Sequence, residues 1–406
     1  MQPYKHHIGV TSQAAFCSVP LRLDSYGFCQ FSCSFCFAKA RGGHRSAKPV
    51  TEANPDVIRR RLLRVSQGQL QSAVDDFLVR RIPIQFGGMT DPFSPWEAER
   101  KVTLKILSVL AEFDYPTIIS TKSTLISTPE YLAILRRGNF FVRFSFTGAR
   151  NILQLKLERG VSSLSERLKA VTRLRQQDLA VAARLQPIIP GEEEYLPSIL
   201  EQMSNAGIQQ VSAEYLKWPM EKSSDQHKRL SVLLPDVERF YATVGATKVG
   251  REMVLPASWK LRMLSGLKKI AENYGIIFGY AENDLLHLNS FEACCNASDR
   301  FLRDANFFSD NILGRLKSSS PEKTFEVPVE KRWSGNHDIL AYMNSHSRIR
   351  SDDPPALKWQ RYLFDKWNAP SWRNGPLSYW GISDTSVRDA SGASIYRFCN
   401  ELVRLP

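Results

Sequence analysis

The chain has 406 residues, 43% of them apolar, with 54 Lys and Arg against 41 Asp and Glu for a net charge of +13. That length supports a large core and a smaller one. No apolar run approaches the ~18 residues of a membrane-spanning helix, and the opening MQPYKHHIGV lacks the hydrophobic stretch of a signal peptide. The expectation is a cytoplasmic enzyme without a membrane role, and the basic excess suits a polyanionic partner.

The first strand candidate, Val19 to Leu23, leads into GFCQFSCSFCFAK, where Cys29, Cys33 and Cys36 form a CxxxCxxC triplet. Three thiolates at these offsets can hold three irons of a [4Fe–4S] cube, which leaves the fourth iron open to a small molecule. A structural zinc site is the competing reading, but zinc normally takes four ligands in paired units. Only His44 is near enough to be the fourth, at a spacing outside the common finger patterns. A disulfide framework does not match an odd, clustered set of cysteines. The remaining cysteines are Cys17, Cys294, Cys295 and Cys399.

Downstream of the triplet the sequence is locally basic. Lys39, Arg41 and Arg45 follow the cysteines closely enough to sit at a site mouth and contact phosphate, whereas Arg59, Arg60, Arg61 and Arg64 also read as a solvated helix face. Short β-rich runs then alternate with amphipathic helical runs. The strand candidates are Ile82 to Phe86, Thr117 to Ser120, Phe141 to Phe146, Ala180 to Gln186, Gln210 to Ala213 and Ile276 to Tyr280. Between them, one helix opens on Thr128 as N-cap with Pro129 behind it. Another opens on a Ser163/Glu166 capping box and puts Leu164, Leu168, Val171 and Leu174 on one face. A third ends near Gly207, a candidate left-handed cap.

Alternation of this kind predicts parallel strands joined by crossovers and, at six or so repeats, a closed or partly closed barrel with its site at the carboxyl ends of the strands. The cysteine loop follows the first strand and falls at that end. In QFGGMTDPFSPWEAE, after the second strand, Gly87 and Gly88 permit close backbone approach and Asp91 stands at a helix entrance. Beyond the last strand, Cys294 and Cys295 read as thiols or, with His287 and Cys399 or Cys17, as a second metal site. A linker is expected from about Ser318. After it Trp333, Trp359, Trp367, Trp372 and Trp380 interleave with Arg348, Arg350, Lys358, Arg361, Lys366 and Arg373. Such a segment can stack bases, but tryptophans more often pack a core, and core packing is the favoured expectation.

The CxxxCxxC triplet, with Phe35 just before its last cysteine, resembles the radical S-adenosylmethionine superfamily. The ordered set QFGGMTDPFSPWEAE, ISTKSTLI, VRFSFTG, LERGVSSLSERLKAVTRL and ARLQPIIPG is similar to the spore photoproduct lyase-like group of that superfamily, from about Cys17 to Ala293. The resemblance implies an α/β fold, a partial (β/α)6 barrel of the TIM type over residues 1–293. A cysteine-containing connection over 294–320 and a mixed or helical C-terminal extension over 321–406 complete the expected organisation. It also implies a [4Fe–4S] cluster on Cys29, Cys33 and Cys36, with S-adenosylmethionine as second cofactor. The expected cofactor contacts are Phe37, Gly87, Gly88, Thr90, Lys122 and, more loosely, Ser145. Reductive cleavage of S-adenosylmethionine to a 5′-deoxyadenosyl radical is the implied chemistry, with an electron donor such as flavodoxin or ferredoxin and a nucleic acid or nucleotide as substrate. A peptide or protein substrate, or a non-catalytic zinc-dependent nucleic-acid-binding protein, are the alternatives. The chain also departs from the group. GGM replaces the commoner GGE, Gly88 and Met89 stand where the lyase has its hydrogen-returning cysteine, and Phe35 and Phe37 replace tyrosines. A phenylalanine has no O–H to relay a hydrogen atom, so the resemblance implies the scaffold and first radical step and not repair of spore photoproduct.

Overall fold

The computed structural model describes residues 7–40, 51–293, 298–318, 335–343, 349, 351–370 and 375–398. Its strands, in chain order, are β1 (Gly9–Val10), β2 (Leu21–Leu23), β3 (Ser32–Cys33), β4 (Ile84–Phe86), β5 (Thr117–Thr121), β6 (Phe140–Gly148), β7 (Glu158–Arg159), β8 (Val181–Ile188), β9 (Gln210–Tyr215), β10 (Trp218–Pro219), β11 (Thr247–Val249), β12 (Glu252–Val254), β13 (Ile277–Tyr280), β14 (Ile382–Arg388) and β15 (Ser394–Phe398). The central sheet runs β1-β2-β4-β5-β6-β8-β9-β13. Strand β1 is antiparallel to β2, and every other neighbouring pair is parallel. All seven expected strands are present, in linear order with helices between them, and form the expected partial parallel barrel.

The helices pack on the outer face of this sheet through alternate strand residues. Arg167, on the helix Leu164–Arg175, lies over the Phe146 ring at 5.1 Å, which identifies the Phe146 face of β6 as the helix-covered one. That helix opens with the expected capping box and buries Leu164, Leu168, Val171 and Leu174. Gly207 takes φ +90° after the helix Leu196–Asn205, as a left-handed cap requires. Thr128 occupies the N-cap position before Pro129, but its hydroxyl makes no capping bond. The expected solvated arginine face on the helix Pro55–Ser66 is partly tied down. Arg64 pairs with the buried Asp75 at 2.8 Å, Arg61 approaches the same carboxylate at 3.4 Å, and Arg59 pairs with Glu112 at 2.5 Å.

The described C-terminal residues share one apolar cluster with the barrel. Phe308 meets Phe77 edge-on at 5.0 Å and Trp359 at 5.8 Å. Trp359 and Trp367 are buried, and their indole N–H groups donate to the carbonyls of Asp310 (2.9 Å) and Ser394 (2.7 Å). The Trp380 amide donates to the Asp284 carbonyl at 2.9 Å, just past β13. His287 is sandwiched between Tyr379 (5.4 Å) and Phe398 (6.1 Å). Core packing is therefore what Trp359 and Trp367 do. Trp333, Trp372, Arg348, Arg350 and Arg373 lie outside the described residues.

Candidate active site at the carboxyl end of the barrel

Strand β2 ends at Leu23, and Asp24 to Phe28 carry the chain to Cys29. This short stretch is fixed from three sides. The Tyr26 hydroxyl donates to Glu97 at 2.5 Å, and Glu97 also accepts from Tyr131 (2.6 Å) and from the amides of Thr103 (2.9 Å) and Leu104 (3.0 Å). A fully buried carboxylate with four donors is a satisfied anchor. Gly27 donates to the Thr51 carbonyl at 2.8 Å, and a side chain there would collide with the Thr51 hydroxyl. Tyr26 and Phe28 pack their rings on Trp96 at 6.2 and 5.7 Å.

The Gly87–Thr90 turn lies beside this stretch and is held by a residue that sequence reasoning missed. One oxygen of Asp24 accepts from the amides of Met89 (3.0 Å) and Thr90 (2.9 Å) and from the Thr90 hydroxyl (3.3 Å), while that hydroxyl also reaches the Tyr26 carbonyl at 3.0 Å. Burial pushes the Asp24 carboxyl up to about 6 against the pull of these donors. Gly87 adopts φ +85°, and a Cβ there would stand 2.5 Å from the Ser120 carbonyl oxygen and 2.7 Å from Pro92. Only glycine fits. At Gly88 the nearest atom to a Cβ is the flexible Arg22 side chain, at 3.1 Å.

Asp91, expected at a helix entrance, does something else. The N-cap of the helix Trp96–Arg100 is Pro95, and Asp91 instead bridges to the end of β5. It accepts from the Phe93 amide (2.9 Å), the Thr121 hydroxyl (2.7 Å) and the Lys122 amide (2.7 Å). Its carboxyl is buried, and burial raises its pKa despite those bonds.

Lys122 projects from the end of β5 toward the thiols. Its ammonium sits over the Phe35 ring at 5.4 Å and pairs with Glu158 at 2.5 Å, and Glu158 pairs on its other oxygen with Arg167 at 2.6 Å. Burial alone would raise the Glu158 carboxyl, but Arg167 and Lys122 outweigh it and hold it at about 2. Glu158 belongs to β7, which pairs antiparallel with β3 so that Cys33 stands opposite Glu158. The Ser34 amide adds a bond to the Leu157 carbonyl at 2.8 Å. This two-stranded strap ties the thiol loop to the Lys122–Glu158–Arg167 chain. Arg167 also donates to the Ser145 carbonyl at 2.6 Å.

The three thiols are neighbours. Burial pushes Cys29 and Cys33 up to about 12, and each also senses the charge of Cys36. What opposes burial suits a thiolate. The backbone amides of Asp91 and Phe31 favour the Cys29 thiolate and the Lys122 ammonium favours that of Cys33, while the carboxylates of Asp91 and Glu158 act in the opposite sense. A set of soft sulfur donors, Cys33 buried and Cys29 and Cys36 half-buried, with N–H groups and a cation close by, fits a cationic iron–sulfur cluster, in which metal replaces the protons. Among the described residues no three His, Cys, Asp or Glu side chains converge as ligands of a single metal ion.

The sequence-derived site thus gathers Cys29, Cys33, Cys36, Gly87, Gly88, Thr90 and Lys122 around the ends of β2, β4 and β5. Phe37 follows the triplet with its side chain 41% exposed, and Ser145 lies half-buried on β6. Lys39 has no described side chain, and Arg41, His44, Arg45, Cys294, Cys295 and Cys399 lie outside the described residues. Cys17 is buried, with its thiol on the Val19 carbonyl at 3.2 Å and Arg22 at 3.5 Å.

The thiol triplet thus stands at the carboxyl end of a largely parallel sheet. Residues 24–202 match the model of the Radical SAM superfamily. Those residues, a little under half of the chain, are similar to the domain of that superfamily, whose enzymes work with a [4Fe–4S] cluster and S-adenosylmethionine. Uncharacterized proteins of Mycobacterium tuberculosis and Mycobacterium bovis are each 24% identical over 198 residues, covering 47% of this chain and 57% of theirs. The match therefore spans a little over half the length of these curated relatives. Among solved structures, spore photoproduct lyase complexed with dinucleoside spore photoproduct is similar at a TM-score of 0.49 and 15% identity, covering 65% of this chain and 77% of that one. Streptococcus suis SuiB bound to S-adenosylmethionine is similar at 0.41 and 15%, covering 65% and 51%.

Proposed function

We propose that Cys29, Cys33 and Cys36 hold a [4Fe–4S] cluster and that Gly87, Gly88, Thr90, Lys122, Phe37 and Ser145 form the pocket for S-adenosylmethionine. When bound and reduced, this pair of cofactors supplies a 5′-deoxyadenosyl radical for hydrogen abstraction from substrate. The observation that carries the reading is the gathering of three thiols, Cys33 buried and Cys29 and Cys36 half-buried, past the end of β2 and inside the matched region.

The chain's own residues have distinct tasks in this reading. The amides at Asp91 and Phe31 and the Lys122 ammonium stabilise the thiolates. Gly87 lets backbone come close to the cofactor's amino group, with Asp24 holding the turn in shape. Lys122 has three donors, so it can keep Glu158 while it binds the methionyl carboxylate. Burial around Cys33 and Thr90 keeps water away from the reacting centre.

The substrate in this reading is a nucleic acid or a nucleotide, supported by the net charge of +13 and by the ordered motifs that resemble the spore photoproduct lyase-like group. The electron comes from a donor such as flavodoxin or ferredoxin, in the cytoplasm. Among the described residues no helix is long and apolar enough to cross a membrane. The test is anaerobic reconstitution, iron and sulfide analysis, and a dithionite assay for 5′-deoxyadenosine, with Cys33→Ala as control. Brown protein with about four irons that forms 5′-deoxyadenosine, and a mutant that does neither, is the expected result. Colourless protein that binds zinc and leaves S-adenosylmethionine intact overturns it.

A further inference from the structure

The bores of parallel barrels are normally filled by bulky branched apolar side chains. Here the face opposite the helices carries a band of polar side chains beside the apolar Ile118, Phe141 and Ala182. Ser120 on β5 accepts from Gln85 on β4 (2.8 Å) and from Arg143 on β6 (3.2 and 2.9 Å), so these three strands present polar groups to one side. Arg143 shares its face with Ser145, which is in register with Arg184 on β8, and Arg184 is in register with Ser212 on β9. The same strands turn Phe144, Phe146, Leu185, Val211 and Ala213 outward, all fully buried.

Two features of this inner face concern a ligand. First, Arg143 and Arg184 project into it, with Glu214 as the acidic partner of Arg184 at 3.1 Å. Second, Gln210 and Ser212 are completely buried there, and neither the Gln210 amide nor the Ser212 hydroxyl has a hydrogen-bond partner among the described residues. Buried polar groups are almost always satisfied, because leaving one unpaired costs stability. A group kept at that cost inside a bore, beside two guanidinium ions, is poised for a polar guest.

We propose that this inner face is the substrate pocket, with Arg143 and Arg184 taking a phosphate group and Gln210 and Ser212 orienting the remainder of a nucleotide unit. It rests on the nucleotide or nucleic-acid reading above and assigns the residues that would recognise it. Guanidinium groups suit phosphate through their paired donors.

The test uses the reconstituted protein saturated with S-adenosylmethionine. Binding is measured for the four deoxynucleoside 5′-monophosphates, the matching nucleosides, a short single-stranded oligonucleotide and an acidic peptide. Nucleotides are expected to bind about tenfold or more tightly than nucleosides, and Arg143→Met and Arg184→Met to remove that difference. Binding of the oligonucleotide through the same arginines, without binding of the monomers, supports the pocket and names a strand as the source of the phosphate. Ser212→Val and Gln210→Leu are expected to weaken nucleotide binding about tenfold while raising the melting temperature, a combination that a purely structural role does not give. Equal affinity for nucleotides and nucleosides, a preference for the acidic peptide, or a loss confined to S-adenosylmethionine affinity overturns the proposal. Formation of 5′-deoxyadenosine is read separately. If it persists while phosphate recognition fails, the pocket is wrong and the radical chemistry stands; if it is absent from the wild type, the chemistry is wrong whatever the bore binds.

Discussion

Glu158→Gln is the sharpest perturbation available, because one buried carboxylate holds two cations. Lys122 and Arg167 lie 2.5 and 2.6 Å from its oxygens, and Glu158 and Arg167 are almost wholly shielded from water. A carboxyl held at about 2 in place of 4.5 corresponds to roughly 3 kcal/mol of favourable interaction. Breaking a buried pair from one side independently suggests a loss of about 3–5 kcal/mol, since the cations stay behind uncompensated. Against a total stability on the order of 5–15 kcal/mol, a loss of that size is large. Urea unfolding followed by circular dichroism should show a clear fall in midpoint for Glu158→Gln. The double variant Glu158→Gln/Lys122→Met should recover part of the loss, because it removes one stranded charge. An unchanged midpoint, or a double variant that loses the full sum of the two single changes, would refute the view that Glu158 is the electrostatic keystone of the strap.

The two adjacent glycines should behave oppositely. Gly87→Ala, at φ +85° and against backbone oxygen, is expected to cost more than about 2 kcal/mol and to lower S-adenosylmethionine affinity, whereas Gly88→Ala should cost under about 1 kcal/mol, both read from unfolding midpoints. His287 is held near pH 4 by burial, below its ordinary 6.5, so folding favours its neutral form. Its stabilising contribution is complete above about 6.5 and is lost as pH falls from there through 4, roughly 3 kcal/mol in all. His287→Leu should flatten the urea midpoint over that interval, and an identical slope in both proteins would dismiss the assignment. Trp359→Ala should cost about 3–5 kcal/mol, and a loss below 1 kcal/mol would mean that the C-terminal residues do not share the barrel's core.

The strands could be found from sequence because each is a short β-rich run bounded by turn residues, and the helices because Leu164, Leu168, Val171 and Leu174 repeat at helical spacing. The thiol triplet and the glycine turn could be found because both are local. Glu97, Glu158 and Arg167 could not, since each is a charged residue whose burial depends on a partner from a distant segment, and charged residues read by default as surface. Asp24 was similarly hidden, because what it holds is a turn 65 residues later. The strap has no periodicity at all over its two-residue strands. The polar bore did leave a signal. Arg184 and Gln186, and Gln210, Ser212 and Glu214, alternate with apolar residues in runs otherwise apolar enough to be buried on both faces, and that alternation marks a hydrated or ligand-bearing inner side.

The strap also gives the protein a built-in reporter. Cys33 and Glu158 are opposite residues of one ladder, so the loop that carries the thiols cannot open without breaking backbone bonds in residues 157–161, far along the chain. Amide exchange in that second segment will therefore register the order of the first. Protection there, followed by mass spectrometry under strict exclusion of oxygen, would follow loading and loss of the proposed metal centre without a chromophore, a substrate or turnover.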